Sequence, residues 1–192
     1  MLRLLKSRIR AARLRRDRRN LLRTLPRNAV CAEIGVWKGG FSRLILAQSD
    51  PRELHLIDPW LFQGQFPNRL YGGKIAQAQG DMDKIYEDVK RRFRSNEQVV
   101  IHRSTSVEAL RAMKDDYFDW IYIDGDHSYE AVLKDLDIGE CKVRKGGFLT
   151  GDDFYWRPNE GFPVKRAVDE FVAKRKPNLR LELIGSQFRI QI

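Results

Sequence analysis

The chain has 192 residues, 42% hydrophobic and 32% charged, with 36 basic and 26 acidic side chains and a net charge of +10. That length holds one α/β domain with a substantial core and excludes two such domains joined by a linker. The two cysteines, Cys31 and Cys141, have neither disulfide-framework nor zinc spacing, which excludes a disulfide-stapled scaffold and suits a reducing compartment.

Residues 1–27 hold ten arginines and Lys6 against Asp17 alone, so the whole net charge lies there. The rest of the chain balances 25 basic against 25 acidic side chains. Leu2, Leu5, Ile9 and Ala12 recur at helical spacing among the arginines and predict a basic amphipathic helix over 1–27, ahead of a domain over 28–192. Such a helix either packs one stripe on the domain or meets an anionic membrane surface, a partner or nucleic acid. No uninterrupted apolar core follows its charges as a secretory signal needs, and Ser7 and Thr24 are few hydroxyls for a mitochondrial presequence. No run of about 18 apolar residues occurs. The expected location is cytoplasmic, with peripheral membrane contact left open.

After Pro26 short apolar strands alternate with helical stretches, the pattern of a mainly parallel sheet covered on both faces. Strands are predicted at Val30 to Ile34, Glu53 to Ile57, Val99 to His102, Phe118 to Ile123 and Phe148 to Thr150. Helices are predicted at Phe41 to Gln48, Asp81 to Arg94, Ser106 to Met113 and Tyr129 to Val143, and from Pro163 through Lys174. The irregular stretch from Pro59 to Gly80 is too long for a plain connection. Gly146-Gly147 reads as a turn, and Gly185-Ser186 joins two closing strands, Leu179 to Ile184 and Gln187 to Ile192. A closing hairpin departs from the plain dinucleotide fold. It fits a Rossmann-like three-layer sandwich whose seven-stranded, mostly parallel sheet ends on an antiparallel strand.

Glu33-Ile34-Gly35-Val36-Trp37-Lys38-Gly39 has the spacing acid-x-Gly-x-x-x-Gly instead of Gly-x-Gly-x-x-Gly, which separates S-adenosylmethionine sites from nicotinamide sites. Gly35, Gly39 and Gly40 would let the backbone approach a ligand and open a helix whose N-terminus favours a carboxylate, with Ser42 in its first turn. Asp58 follows 18 residues after Gly40, where a carboxylate can accept both ribose hydroxyls. His102, Ser104 and Thr105, at the end of the third strand, fall where adenine lies in such folds. A plain strand-to-helix turn, or an Asp cap before Pro59, would explain each motif taken singly.

The runs Glu33 to Gly40, Ile123-Asp124-Gly125-Asp126-His127-Ser128-Tyr129-Glu130 and Gly151-Asp152-Asp153-Phe154 resemble class I methyltransferases of methyltransferase family 24. They are similar also to the macrocin-type sugar O-methyltransferases. The resemblance covers about residues 29–192 and leaves the arginine helix outside it. It implies S-adenosylmethionine as donor and a hydroxyl of a small molecule or glycan as acceptor.

Asp124, Asp152 and Asp153 stand at the ends of neighbouring strands, and an all-oxygen cluster suits a hard cation such as Mg²⁺. The resemblance gives these three positions to the metal and marks His127 as the base. A metal and an imidazole would complement each other in deprotonating an alcohol. Read without the resemblance, His127 and Asp152-Asp153 are equally residues of capped turns. Aromatic side chains at Trp60 to Tyr71 and at Phe154, Tyr155, Trp156 and Phe162 would wall the acceptor pocket, with Arg69, Lys74 and Arg157 beside it. The alternative reading is a non-catalytic or RNA-directed donor-binding protein that works through the basic helix. Homo-oligomers are compatible with either.

Overall fold

The computed structural model describes residues 2–157, 161–175 and 179–192, with the side chains of residues 2–8 and 10 outside that description. In chain order the elements are α1 (Leu2–Leu22), β1 (Val30–Ile34), α2 (Gly40–Ser49), β2 (Glu53–Ile57) and α3 (Gln79–Phe93). β3 (Val99–His102), α4 (Ser106–Ala112), β4 (Phe118–Ile123), α5 (Tyr129–Lys142) and β5 (Val143–Gly151) follow, and α6 (Pro163–Arg175), β6 (Arg180–Ile184) and β7 (Gln187–Gln191) close the chain.

Seven strands form one sheet in the order β3-β2-β1-β4-β5-β7-β6. The first five pair in parallel, while β7 runs antiparallel to both β5 and β6. This is the Rossmann-like three-layer arrangement the sequence predicts. Strand alternation feeds two cores. Val30, Ala32 and Ile34 of β1 face α4, α5 and α6, whereas Cys31, with Trp120 and Tyr122 of β4, faces α1, α2 and α3. Connections leave β1 and β4 toward opposite edges of the sheet, which opens a crevice at their carboxyl ends.

Two local expectations change. α5 stops at Lys142, and Val143 already belongs to β5. Gly146-Gly147 lies inside that strand because the Gly146 N–H reaches the Ile192 carbonyl (2.7 Å) and the Ile192 N–H reaches the Gly147 carbonyl (3.0 Å). The long stretch after β2 contains one wide helical turn at Leu70–Lys74.

The basic helix is anchored differently from its expected stripe. Leu2 and Leu5 lie outside the described side chains, and Ile9 and Ala12 are exposed. Leu21, Leu22 and Leu25 at its C-terminal end are instead buried against Trp120 and Tyr122. At about 1.5–3 kcal/mol per buried leucine, this end of the segment is an integral part of the core. Among the described residues no helix is long and apolar enough to cross a membrane.

Candidate active site

The crevice is a cleft of about 750 Å³. Its floor is the turn that leaves β1. Gly35 sits at φ +87°, its N–H donates to the Ile57 carbonyl (2.9 Å), and the Asp124 N–H donates to the Ile34 carbonyl (2.8 Å). This crossing locks the glycine loop to the end of β4. Trp37, at φ +53°, is held by its N–H on Asp58 Oδ2 (2.9 Å) and by the Trp60 indole N–H on its carbonyl (2.9 Å). Gly39 and Gly40 then open α2, and Gly40 faces open space at the cleft.

Glu33 is fully buried, and burial pushes its carboxyl up to about 8 although the Ser42 hydroxyl donates to it. Ser42 therefore serves Glu33 and is not part of the cleft wall. Asp58 lines the cleft, but its oxygens already accept from the Val36, Trp37 and Trp60 N–H groups and from the Tyr71 hydroxyl (2.7 Å). It shapes the loop as much as it faces a ligand. Ser104 and His102 are not in the lining; Thr105 and Ser106 are, because Thr105 caps α4 and turns the next residue inward. His102 is taken by His55, whose Nδ1 lies 2.8 Å from its Nε2. Asp135 of α5 joins the cleft wall unannounced by any motif. It is buried, accepts from the Ser106 hydroxyl (2.5 Å), and burial pushes its carboxyl up to about 6.

Beside this loop the segment after β4 supplies Asp124 and His127, and the segment after β5 supplies Asp152 and Asp153. His127 Nε2 lies 3.3 Å from Asp124 Oδ1 and 3.5 Å from Asp153 Oδ2. Burial pulls the imidazole pKa down, but the Asp124 hydrogen bond and the charges of Asp124, Asp153 and Asp152 outweigh it, so the net shift is upward. Burial, then Asp152, pushes the Asp153 carboxyl up to about 6. The Trp156 ring stands 5.3 Å from that of His127 and faces the cleft with Arg69, Tyr71 and Lys74. Trp60 and Phe154, expected in the acceptor wall, are buried in the two cores.

Of the expected metal set of Asp124, Asp152 and Asp153, the group with metal-ligand spacing takes in Asp124 and Asp153 and adds His127. Asp124, His127 and Asp153 each bring one ligand atom within 4.8 Å of the others. Asp152 adjoins this group without joining it, and both its oxygens already accept hydrogen bonds. Oδ1 accepts from the Asp153 N–H (2.7 Å), the Ser186 hydroxyl (3.0 Å) and the Gln187 amide, and Oδ2 accepts from Arg18 Nε (3.0 Å) and Nη2 (2.8 Å). Arg18 Nη2 also donates to Asp124 Oδ2 (2.5 Å). No spacing in the sequence distinguishes Arg18 from the nine other arginines of its segment. Only the packing of α1 brings it here.

Residues 32–154 match the family model described as a methyltransferase domain. Uncharacterized protein R132 of Acanthamoeba polyphaga mimivirus is 28% identical over 159 residues, and the match covers 80% of this chain. It spans 65% of that protein's length. Among solved structures the O-methyltransferase NovP is 25% identical, with a TM-score of 0.63 over 93% of this chain and 79% of NovP. An S-adenosylmethionine-dependent methyltransferase from Aquifex aeolicus shares the fold at 13% identity, with a TM-score of 0.53 over 86% of this chain and 82% of its own.

Proposed function

Because the chain belongs to methyltransferase family 24, we propose that it transfers a methyl group from S-adenosylmethionine to a hydroxyl of a small molecule or glycan. The observation that carries this reading is the position of His127 between Asp124 and Asp153, in the same cleft as the glycine loop, whose Gly35 packs on the Asp124 backbone. When bound, the donor supplies an electrophilic methyl carbon on a sulfonium sulfur. Gly35, Gly39 and the N-terminus of α2 give its amino-acid end a close backbone approach. Asp58 would serve the ribose, and Thr105, Ser106 and Asp135, which line the same cleft, the base.

Two carboxylates hold His127 Nε2, so the proton on that atom stays put and Nδ1 is left to take the acceptor's hydroxyl proton. The acceptor oxygen then bonds the methyl carbon as the carbon–sulfur bond breaks, and the thioether leaves with the bonding pair. Alignment of the two reactants in one cleft supplies much of the rate. Arg18 occupies Asp152 and one oxygen of Asp124, and the deprotonation falls to His127.

Calorimetric titration of S-adenosylmethionine, followed by methyl-transfer assays on phenol and sugar hydroxyl panels, tests the reading. No donor isotherm would end it. A second feature supports an anionic carrier for the acceptor: Arg13, Arg15, Arg16, Arg19 and Arg23 are exposed on or just after the helix that contributes Arg18. Replacing Arg15, Arg19 and Arg23 by Glu should abolish binding to phosphatidylserine vesicles without lowering the melting temperature. Retained binding would dismiss that role.

A further inference from the structure

We propose that Arg18 is the resident cation of the carboxylate cluster, standing where the sequence assigns a divalent ion, and that it positions Asp124 for the chemistry proposed above. Three carboxylates, Asp124, Asp152 and Asp153, meet at the ends of β4 and β5, with the Glu33 carboxyl buried nearby. Such a cluster is costly in a protein interior without a positive partner. Arg18 meets that need with a planar fork: Nε and Nη2 share Asp152 Oδ2, and Nη2 bridges on to Asp124 Oδ2. Its guanidinium also lies 4.8 Å from the Phe41 ring centroid and 5.9 Å from that of Tyr122, a stacking that suits a delocalised cation.

A divalent ion would compete for these same oxygens. Asp152 has none left, since Oδ1 is held by the Asp153 N–H, Ser186 and Gln187. Asp124 retains only Oδ1, which His127 already faces. An ion held by Asp124, His127 and Asp153 would share a carboxylate with the guanidinium, and like charges at that range oppose each other.

A second use of the contact would be a removable plug, and the anchoring of α1 argues against it. Leu21, Leu22 and Leu25 are buried within two turns of Arg18. Asp17 is buried against the β6–β7 turn, so closely that a Cβ on Gly185 would lie 2.1 Å from its carboxylate. Arg189 Nη1 donates to the Thr24 carbonyl (2.9 Å) and ties the helix end to β7. Arg18 thus comes from a segment fixed on both sides of it. By holding Asp124 Oδ2 it leaves Oδ1 to orient His127, which makes it a positioning residue.

The test is Mn²⁺ titration of the full chain, followed by electron paramagnetic resonance and calorimetry, on wild type, Arg18→Met and Arg18→Lys. Wild type should give no saturable Mn²⁺ isotherm, and its methyl transfer should be unchanged by EDTA. Arg18→Met should gain a saturable Mn²⁺ isotherm that wild type lacks, at least about tenfold tighter than the weakest binding the titration can detect, since a freed carboxylate pair is a better ligand set. Arg18→Lys, which keeps a positive charge on the cluster, should stay close to wild type. Saturable Mn²⁺ binding by wild type that Asp124→Asn abolishes would overturn the proposal, and needs no folded Arg18 variant. Arg18→Met that melts cooperatively yet binds no Mn²⁺ would overturn it too. The proposal rests on the methyltransferase reading only for its positioning role. A missing S-adenosylmethionine isotherm would sink that reading, while the Mn²⁺ titration still decides the occupant of the cluster.

Discussion

Gly35 and Asp124 touch backbone to backbone: a Cβ added to Gly35 would stand 2.1 Å from the Asp124 carbonyl oxygen. The contact couples the donor loop to the strand that carries the chemistry, so the two halves of the site cannot shift independently. Gly35→Ala brings both this clash and a side chain at φ +87°, and should destabilise the fold by about 2 kcal/mol or more. Denaturant melts and donor calorimetry check it. An alanine variant with wild-type stability and donor affinity would contradict the coupling.

Glu33 should make stability depend on pH in an unusual direction for a carboxylate. Its carboxyl titrates at about 8 in the fold against an ordinary 4.5, because burial disfavours its charge. The folded chain therefore holds this proton more tightly than the unfolded chain does. Stability falls as pH rises through that interval. Glu33→Gln removes the dependence, so its melting temperature should gain on wild type progressively between about pH 5 and about pH 9. Parallel curves across that range would show that Glu33 is not the buried acid described here.

His127→Ala should lower kcat by about 10²- to 10⁴-fold, the usual worth of a general base. The wild-type imidazole pKa is raised by Asp124 and Asp153 against the downward pull of burial, so activity should climb with pH through a midpoint above the ordinary 6.5. Asp153→Asn removes one of the raising charges and should move that midpoint down. The limb belongs to the coupled pair, since Asp153 itself is pushed up to about 6. A pH profile identical in the two proteins would remove Asp153 from this role.

The strand order and the glycine loop were legible because both depend on short-range patterns: apolar runs of strand length and an acid-x-Gly-x-x-x-Gly turn. Asp124 and His127 were legible for the same reason, lying together at one strand end. Arg18 was not, because what selects it is the burial of Leu21, Leu22 and Leu25, a tertiary fact that no local spacing encodes. Asp135 was hidden in a helix of ordinary composition, and only the register of α5 against α4 turns it toward Ser106. The hydrogen bonds that take up Asp152 were hidden on the same ground. Its neighbours Ser186 and Gln187 arrive from a hairpin more than thirty residues away.

Tyr71 and Asp58 set up a competition that donor binding must resolve. Asp58 Oδ2 already accepts from Val36, Trp37 and the Tyr71 hydroxyl, while Oδ1 accepts from Trp60. Ribose hydroxyls can share this carboxylate most easily by replacing Tyr71, the one side-chain donor among the four. Tyr71→Phe deletes that donor and keeps the ring, whose centroid lies 4.7 Å from that of Trp37. A hydrogen bond to a charged group contributes about 1.5–3 kcal/mol net, so sparing the methyl donor the cost of breaking it should let the variant bind S-adenosylmethionine at least about tenfold more tightly. Calorimetry on wild type and variant measures the difference directly. Weaker binding by Tyr71→Phe would mean that the hydroxyl supports the donor site instead of competing for it, and that the Leu70–Lys74 turn is already in its donor-bound position.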